Sequence, residues 1–326
     1  MMSGPTPAFD LHVIIDWSAA GRPTRGRDSI WALARSVTDH GQRALAAASI
    51  PDEPVNLSTR HEAEQWLAEI VSLRVRLLIG IDVPLGVPAG LVDRVEIASP
   101  APDASLPRWQ RWWSLVGRLL EDGDDNANNR WWVGAELNRW IAADAGPFWG
   151  CPPGVAESDL APTRPTMNDA VEWRHVERVL RDQGLRPFSV YQLAYAGSVG
   201  GQALTAVVRL DSLCATARDA GCEVAVWPFE PVGTDGCSVT IAEIWPSAFD
   251  LDLAVHPIRD AAQVIGVADR TIAADRAGRL GPWMADGWMQ TPGGVVLDEA
   301  VIAAVRDEEG WVLGVGADGH VSARFV

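Results

Sequence analysis

Lysine is missing from this 326-residue chain: all 27 of its basic residues are arginine. Schiff-base enzymes need a deprotonatable amine, and P-loop NTPases, protein kinases and Ser-x-x-Lys hydrolases each need a lysine of their own. Arginine, with a pKa above ~12, replaces none of these. Covalent catalysis through an amine is therefore excluded. Cysteine is scarce as well. Cys151, Cys214, Cys222 and Cys237 form no C-x-x-C pair and have no histidine at zinc spacing, so reduced thiols are expected and a structural zinc is not. The first ten residues lack a basic start and an apolar core, and no run approaches the ~18 apolar residues of a membrane span, so a cytoplasmic protein without a membrane partner is expected. Tyrosine and phenylalanine are few, 2 and 6, against 16 tryptophans.

With 43 acidic residues the formal charge is -16, which opposes nonspecific coating of nucleic acid. A 48% hydrophobic and 21% charged composition is that of an ordinary globular domain. Seven tryptophans lie between Trp109 and Trp149. Of these, Trp109, Trp112 and Trp113 fall on one helical face, for which core packing is the simplest reading and stacking on a ligand the rival one.

Short apolar runs predict strands at Leu11–Trp17, Ser29–Ser36 and Ala44–Ile50, a three-stranded meander. Ser58 then caps a helix over Thr59–Leu73, and Val75–Val83 reads as a buried strand. From Pro84 to Pro187 the chain turns rich in Pro, Gly and Trp, which predicts a helical and loop insertion at 84–187 within one domain spanning 1–326. Helices are expected from Asn168 to Gln183 and from Gly200 to Ala220. Strands follow at Glu223–Phe229 and Val239–Trp245, then helices over Arg259–Ala277 and Val295–Val305, and a Gly-rich tail with two strand-like runs.

Three of these strands end on acids: Asp16, Asp82 and Glu243. A fourth acid, Asp260, opens the helix that follows. In an open α/β sheet the polar ends of adjacent strands line a common crevice. Carboxylates gathered there repel one another unless a cation lies among them, and a hard divalent ion, Mg²⁺ or Mn²⁺, is the natural occupant.

The order of these pieces resembles the ribonuclease-H-like fold, and their wording is similar to a bacterial domain-of-unknown-function family of predicted nucleases. The matching segments are IIDWSA at Ile14–Ala19, GIDVPLG at Gly80–Gly86, AELNRW at Ala135–Trp140, YQLAYAGSVGGQAL at Tyr191–Leu204, AEIWPSAF at Ala242–Phe249, IRDAAQV at Ile258–Val264 and EEGWVLG at Glu308–Gly314. The resemblance implies an α/β protein with a ribonuclease-H-like mixed sheet flanked by helices. It further implies that Asp16 bridges two metal ions ~4 Å apart, that Asp82 and Glu243 ligate from neighbouring strands, and that Asp260, or else Asp298 or Asp307, completes the second site for hydrolysis of a phosphodiester. The substrate would be nucleic acid or a small phosphate ester. Ser18 takes the place where an ATP-binding branch of the same fold carries glycine, which argues against an ATPase. Arg139, Arg174 and Arg186 are candidates to clamp phosphates, although an arginine in such a place is more often a surface ion pair than a ligand.

Rival readings remain. Ala196-Gly197-Ser198-Val199-Gly200 resembles a nucleophile elbow, with Asp250 or Asp252 and His256 or His320 completing a serine hydrolase; the simpler reading is a glycine-rich helix start that packs on the sheet or holds a phosphate. Asp122–Arg130 opens like a calcium loop but lacks its glycine and glutamate, which makes it a solvated turn. A non-nucleolytic ligand-binding or interaction protein of the same fold is the remaining alternative.

Overall fold

Three strands open the fold: β1 (Leu11–Asp16), β2 (Ile30–Ser36) and, after Pro54, the short β3 (Val55–Leu57). Between β2 and β3 the chain forms helix α1 (Asp39–Ala47), and this corrects the strand expected over Ala44–Ile50. Its Ala-rich stretch favours a helix, and the Thr38 hydroxyl caps it by accepting from the Gly41 N–H at 3.2 Å. Helix α2 (Arg60–Val71) and β4 (Arg76–Ile81) follow as expected, with Thr59 rather than Ser58 as the cap. The computed structural model describes residues 6–101, 103–141, 146–155, 158–167, 172–233, 236–291, 293–294 and 296–321.

Within residues 84–187 lie α3 (Leu91–Glu96), α4 (Arg108–Leu119), α5 (Arg130–Ile141) and α6 (His175–Asp182). The start of the helix expected from Asn168 falls on residues outside the described ones. The long α7 (Val199–Asp219) then leads to β5 (Glu223–Trp227) and β6 (Ser238–Glu243). Finally come α8 (Arg259–Arg276), α9 (Leu280–Ala285) and α10 (Glu299–Ala304), the last running into a π-turn over Val305–Glu309. Of the helix expected at Val295–Val305, Val295 itself lies outside the described residues. The tail pairs only through isolated bridges, Val312 with Glu243 and Val315 with Val321; residues 322–326 lie outside the described part.

The sheet is mixed and six-stranded, in the order β3-β2-β1-β4-β6-β5. β2 is antiparallel to β1 and β3, whereas β1, β4, β6 and β5 run parallel. Both faces are covered, so the central strands are apolar on both sides. On one face Leu11, Val13, Ile15, Ile79 and Ile241 pack with α2 and α7. On the other, Ile14, Leu78 and Ala242 pack with α8. Trp109, Trp112 and Trp113 are buried in the same core as the first face, and Trp109 stacks on Phe229 at 5.0 Å. Among the described residues no helix is long and apolar enough to cross a membrane.

His12 alternates onto the α8 face and is buried between Thr271 and Asp275, 3.0 Å from each. Cys222 and Cys237 are joined as a disulfide with Cα atoms 4.8 Å apart, which corrects the expectation of four reduced thiols. Cys151 and Cys214 are free and buried.

The loop expected to be a solvated turn is instead an anchor. Asp122 is buried and accepts from Arg60 Nε at 3.0 Å and from Arg209 Nε at 2.9 Å. The Arg60 guanidinium also donates to the carbonyls of Ser18, Ala20 and Asn126 at 3.0, 2.9 and 2.8 Å. It thereby ties the loop after β1 to the start of α2 and to the 122–126 turn. Removing one member of a fully buried pair strands the other's charge. Arg60→Ala is expected to cost about 3 kcal/mol in chemical denaturation, while Arg35→Ala, which breaks the exposed pairs to Asp52 and Asp269, should cost under about 1 kcal/mol.

Candidate functional site

Register decides which acids meet. Ile81 lies beside Ile15 on one side and Glu243 on the other. The Asp82 N–H continues the ladder to the Ile15 carbonyl at 3.0 Å, and Ile244 N–H to the Ile81 carbonyl at 2.9 Å. Asp16, Asp82 and Glu243 thus stand in a row at the carboxyl edge of three adjacent parallel strands. Asp260, in the first turn of α8, reaches the same edge and accepts from the Asp28 N–H at 2.9 Å.

Asp16, Asp82 and Asp260 line one cleft of about 590 Å³ with Asp28, an acid the sequence reading overlooked. Asp16 and Asp82 are half-buried, and no cation or hydrogen-bond donor touches their side chains among the described residues. Burial and then the charges of Asp82, Asp260 and Asp28 hold Asp16 well above the usual carboxylate range. Burial, followed by Glu243 and Asp260, pushes Asp82 up to about 8. Burial also raises Asp260, against the stabilising bond from Asp28.

Glu243, expected as a metal ligand, is paired with an arginine. Its two oxygens accept from Arg174 Nη2 and Nη1, each at 2.7 Å, and it also receives the Leu85 N–H at 3.3 Å. Arg174 in turn is not a phosphate clamp. It is buried as the cap of α6, and its remaining donors go to Glu177 Oε1 and the Glu309 carbonyl, each at 3.0 Å. Burial works against its charge, but Glu243 and Glu177 more than offset this and hold the guanidinium above its ordinary value.

The cleft is also lined by Arg130 and by the start of α7 with the preceding Gly197 and Ser198. The first amides of α7 are already used: Gly200 N–H donates to Gln192 O at 3.0 Å and Gly201 N–H to Ser198 O at 3.1 Å. The helix start therefore packs on its neighbours, and what it offers the cleft is the positive end of its dipole and the Ser198 hydroxyl, which is unbonded among the described residues. Arg130 was not anticipated. Burial, with repulsion from Arg60, lowers it to about 10, and its Nη1 bonds Asn128 at 2.9 Å. Ser18 also lines the cleft, but its hydroxyl is engaged with the Asp28 carbonyl and the Ala20 N–H at 3.1 and 3.2 Å.

The other expected residues lie elsewhere. Arg139 is paired with Glu136 and Asp159 on the far part of α5. Arg186 is exposed and does not line the cleft. Asp298 caps α10, and Asp307 pairs with Arg108, which leaves Asp260 as the helical acid that faces the strand-end aspartates. For the serine-hydrolase reading, Tyr191 and its neighbours form turns rather than a strand. His256 bonds Ile258, and His320 approaches Asp318 at 3.6 Å; no histidine touches Ser198 among the described residues.

The remaining set of Asp16, Asp82 and Asp260 is all-oxygen and forms no ion pair among the described residues, although the charges of Arg259 and Arg27 act on Asp260; such a set is the chemistry a hard divalent ion takes. Among the described residues no three acidic, histidine or cysteine side chains are already gathered at metal-holding distance. A larger cavity, about 680 Å³, lies beside Trp227 and Trp288, but its walls are mainly apolar and its Arg76 is paired with Asp10. No protein-family model, curated protein or solved structure matches the chain.

Two outcomes are expected. Arg174→Met leaves Glu243 and Glu177 without their cation and should cost about 3–5 kcal/mol in urea denaturation, of which Arg174→Met/Glu243→Gln recovers at least about 1 kcal/mol. The Asp82 carboxyl, raised to about 8 in the fold, contributes stability that is fully present below an unfolded pKa of ~3.9 and is lost as pH rises through the folded value. In EDTA, Asp82→Asn should match the wild type near pH 4 and exceed its stability by about 2 kcal/mol near pH 9, read from denaturation midpoints across that range.

Proposed function

We propose that the protein is a Mg²⁺- or Mn²⁺-dependent phosphoryl-ester hydrolase of ribonuclease-H-like architecture, with nuclease-type phosphodiester cleavage as its reaction class. The observation that carries this reading is the pair of strand-end aspartates, Asp16 and Asp82, on adjacent parallel strands: both line one cleft, both are raised by burial and neighbouring carboxylates, and neither has an ion-pair partner among the described residues. The sequence of elements supports the architecture. β1 ends on Asp16, the antiparallel β2 and β3 follow, β4 leads to Asp82, β6 to Glu243, and α8 opens with Asp260.

Asp16 and Asp82 would hold the ion, with Asp260 beside them. When bound, a divalent ion supplies the charge that offsets the negative charge growing on a phosphoryl group in an in-line displacement, and it acidifies water. The chain's own residues do the rest. Arg130 and the N-terminal end of α7 place positive field on the same cleft, and the Ser198 hydroxyl is free to donate to a phosphoryl oxygen. Arg174 keeps Glu243 neutralised, so the cleft's negative charge is concentrated on the aspartates. Asp28, through its N–H, holds Asp260 in orientation.

The test is hydrolysis of labelled RNA, DNA, RNA–DNA hybrid and mononucleotides in Mn²⁺. Activity should vanish in EDTA and fall at least about a hundredfold in Asp16→Asn. Cleavage that survives both the chelator and the substitution sinks the proposal.

A further inference from the structure

The acid-lined cleft opens into a second, smaller hollow of about 200 Å³, and the two share Asp82, Gly197 and Gln202 as walls. Its character is different: Pro84, Pro187, Phe188 and Trp245 line it, beside the mutually paired Arg174, Glu177 and Glu243. Whole ligands of drug size occupy ~300–1,000 Å³, so this hollow is the size of a single ring system. Phe188 is 52% exposed. An isolated exposed ring is unremarkable, but this one is seated on backbone. Gly197 has φ +78°, and a Cβ there would overlap the Phe188 ring. The turn that carries Ser198 into the acid cleft thus also supports the Phe188 ring, which lines the hollow.

A small hollow walled by an exposed ring, an indole and two prolines, sharing a wall with a phosphoryl-ester site, is an arrangement that a nucleobase fits. Every base has a π-face, and stacking on an aromatic side chain is worth ~1–3 kcal/mol per base. A polymer would need a basic track, and the chain carries a charge of -16 with no lysine. On the opposite flank Tyr195, also 52% exposed, is fixed by its hydroxyl to the Cys151 carbonyl at 2.8 Å. We infer that the substrate is a small nucleoside phosphate, its base stacked on Phe188 between Pro187 and Trp245 and its phosphate in the aspartate cleft. This rests on the phosphoryl-ester reading for the phosphate, whereas the base subsite stands on its own walls.

Equilibrium dialysis separates the two halves. In EDTA, adenosine should bind the wild type and Phe188→Trp alike and at least tenfold more weakly to Phe188→Leu, while ribose binds none of them measurably. Equal adenosine binding by the wild type and Phe188→Leu overturns the subsite. In Mn²⁺, AMP should bind at least tenfold more tightly than adenosine. If it does not, while the dependence on Phe188 persists, the hydrolase reading falls and the base subsite is upheld. A dodecamer of deoxyadenylate binding more than tenfold tighter than dAMP overturns the small-substrate assignment. Phe188 is half in solvent, so Phe188→Leu is expected to fold, and an unchanged urea midpoint verifies it.

Discussion

The bidentate pair between Arg174 and Glu243 governs the chemistry of the sheet edge. Three carboxylates are delivered there by three parallel strands, and without Arg174 all three would have to be neutralised from the cleft. With the guanidinium bonded to both oxygens of Glu243 at 2.7 Å, one acid is satisfied from below the sheet edge and two remain unpaired. The same arginine binds Glu177 and the Glu309 carbonyl, so the pair also joins α6 and the 305–309 turn to β6. A buried ion pair of this kind adds little net stability over an apolar substitute. Its value lies in fixing which carboxylates face the cleft.

The absence of lysine becomes intelligible in the same terms. The internal cross-links of this fold are forks: Arg60 reaches four groups on two segments, Arg174 reaches three, and Arg209 bridges Asp122 and Glu64. A single ammonium has three donors radiating from one point and holds its water strongly, so it could not replace a planar five-donor group in such places. The three buried arginines Arg60, Arg130 and Arg174 all stand at the first positions of helices, where the dipole disfavours a cation. A cation placed against the dipole must be held there by tertiary partners, and in each case carboxylates or carbonyls provide them.

That pattern was readable in the sequence, and it is the signal by which Arg130 could have been found. The strand-end aspartates were legible because a short apolar run ending on an acid has few structural explanations, and α7 and α8 because their apolar spacing is long and regular. Other features were not legible locally. Ala44–Ile50 is short enough to suit either a strand or a helix, and only the Thr38 cap together with the later β3 decides it. The fate of Glu243 depends on a residue 69 positions away, which no local pattern encodes. Asp28 enters the cleft from a turn with φ +57°, and its charge is visible in sequence while its position is not.

Electrostatics limits what such a cleft can hold. Asp82 is raised to about 8 and Asp16 is raised with it, so near neutral pH the metal-free site relieves repulsion by taking up protons. An anionic ligand approaching that wall alone meets partial negative charge, and among the described residues the rest of the lining offers one arginine, Arg130, with the Ser198 hydroxyl and a helix end. Divalent charge on the aspartates, under the proposal that they hold an ion, would reverse the sign of that wall and let the cleft take an anion. The chain as a whole carries a formal charge of -16. The attraction for phosphate is therefore confined to the cleft, and a ligand gains further affinity chiefly through apolar contact. The neighbouring hollow under Phe188 and Trp245 is where that contact is available, so charge and shape favour a compact ligand with one anionic end and one flat apolar end.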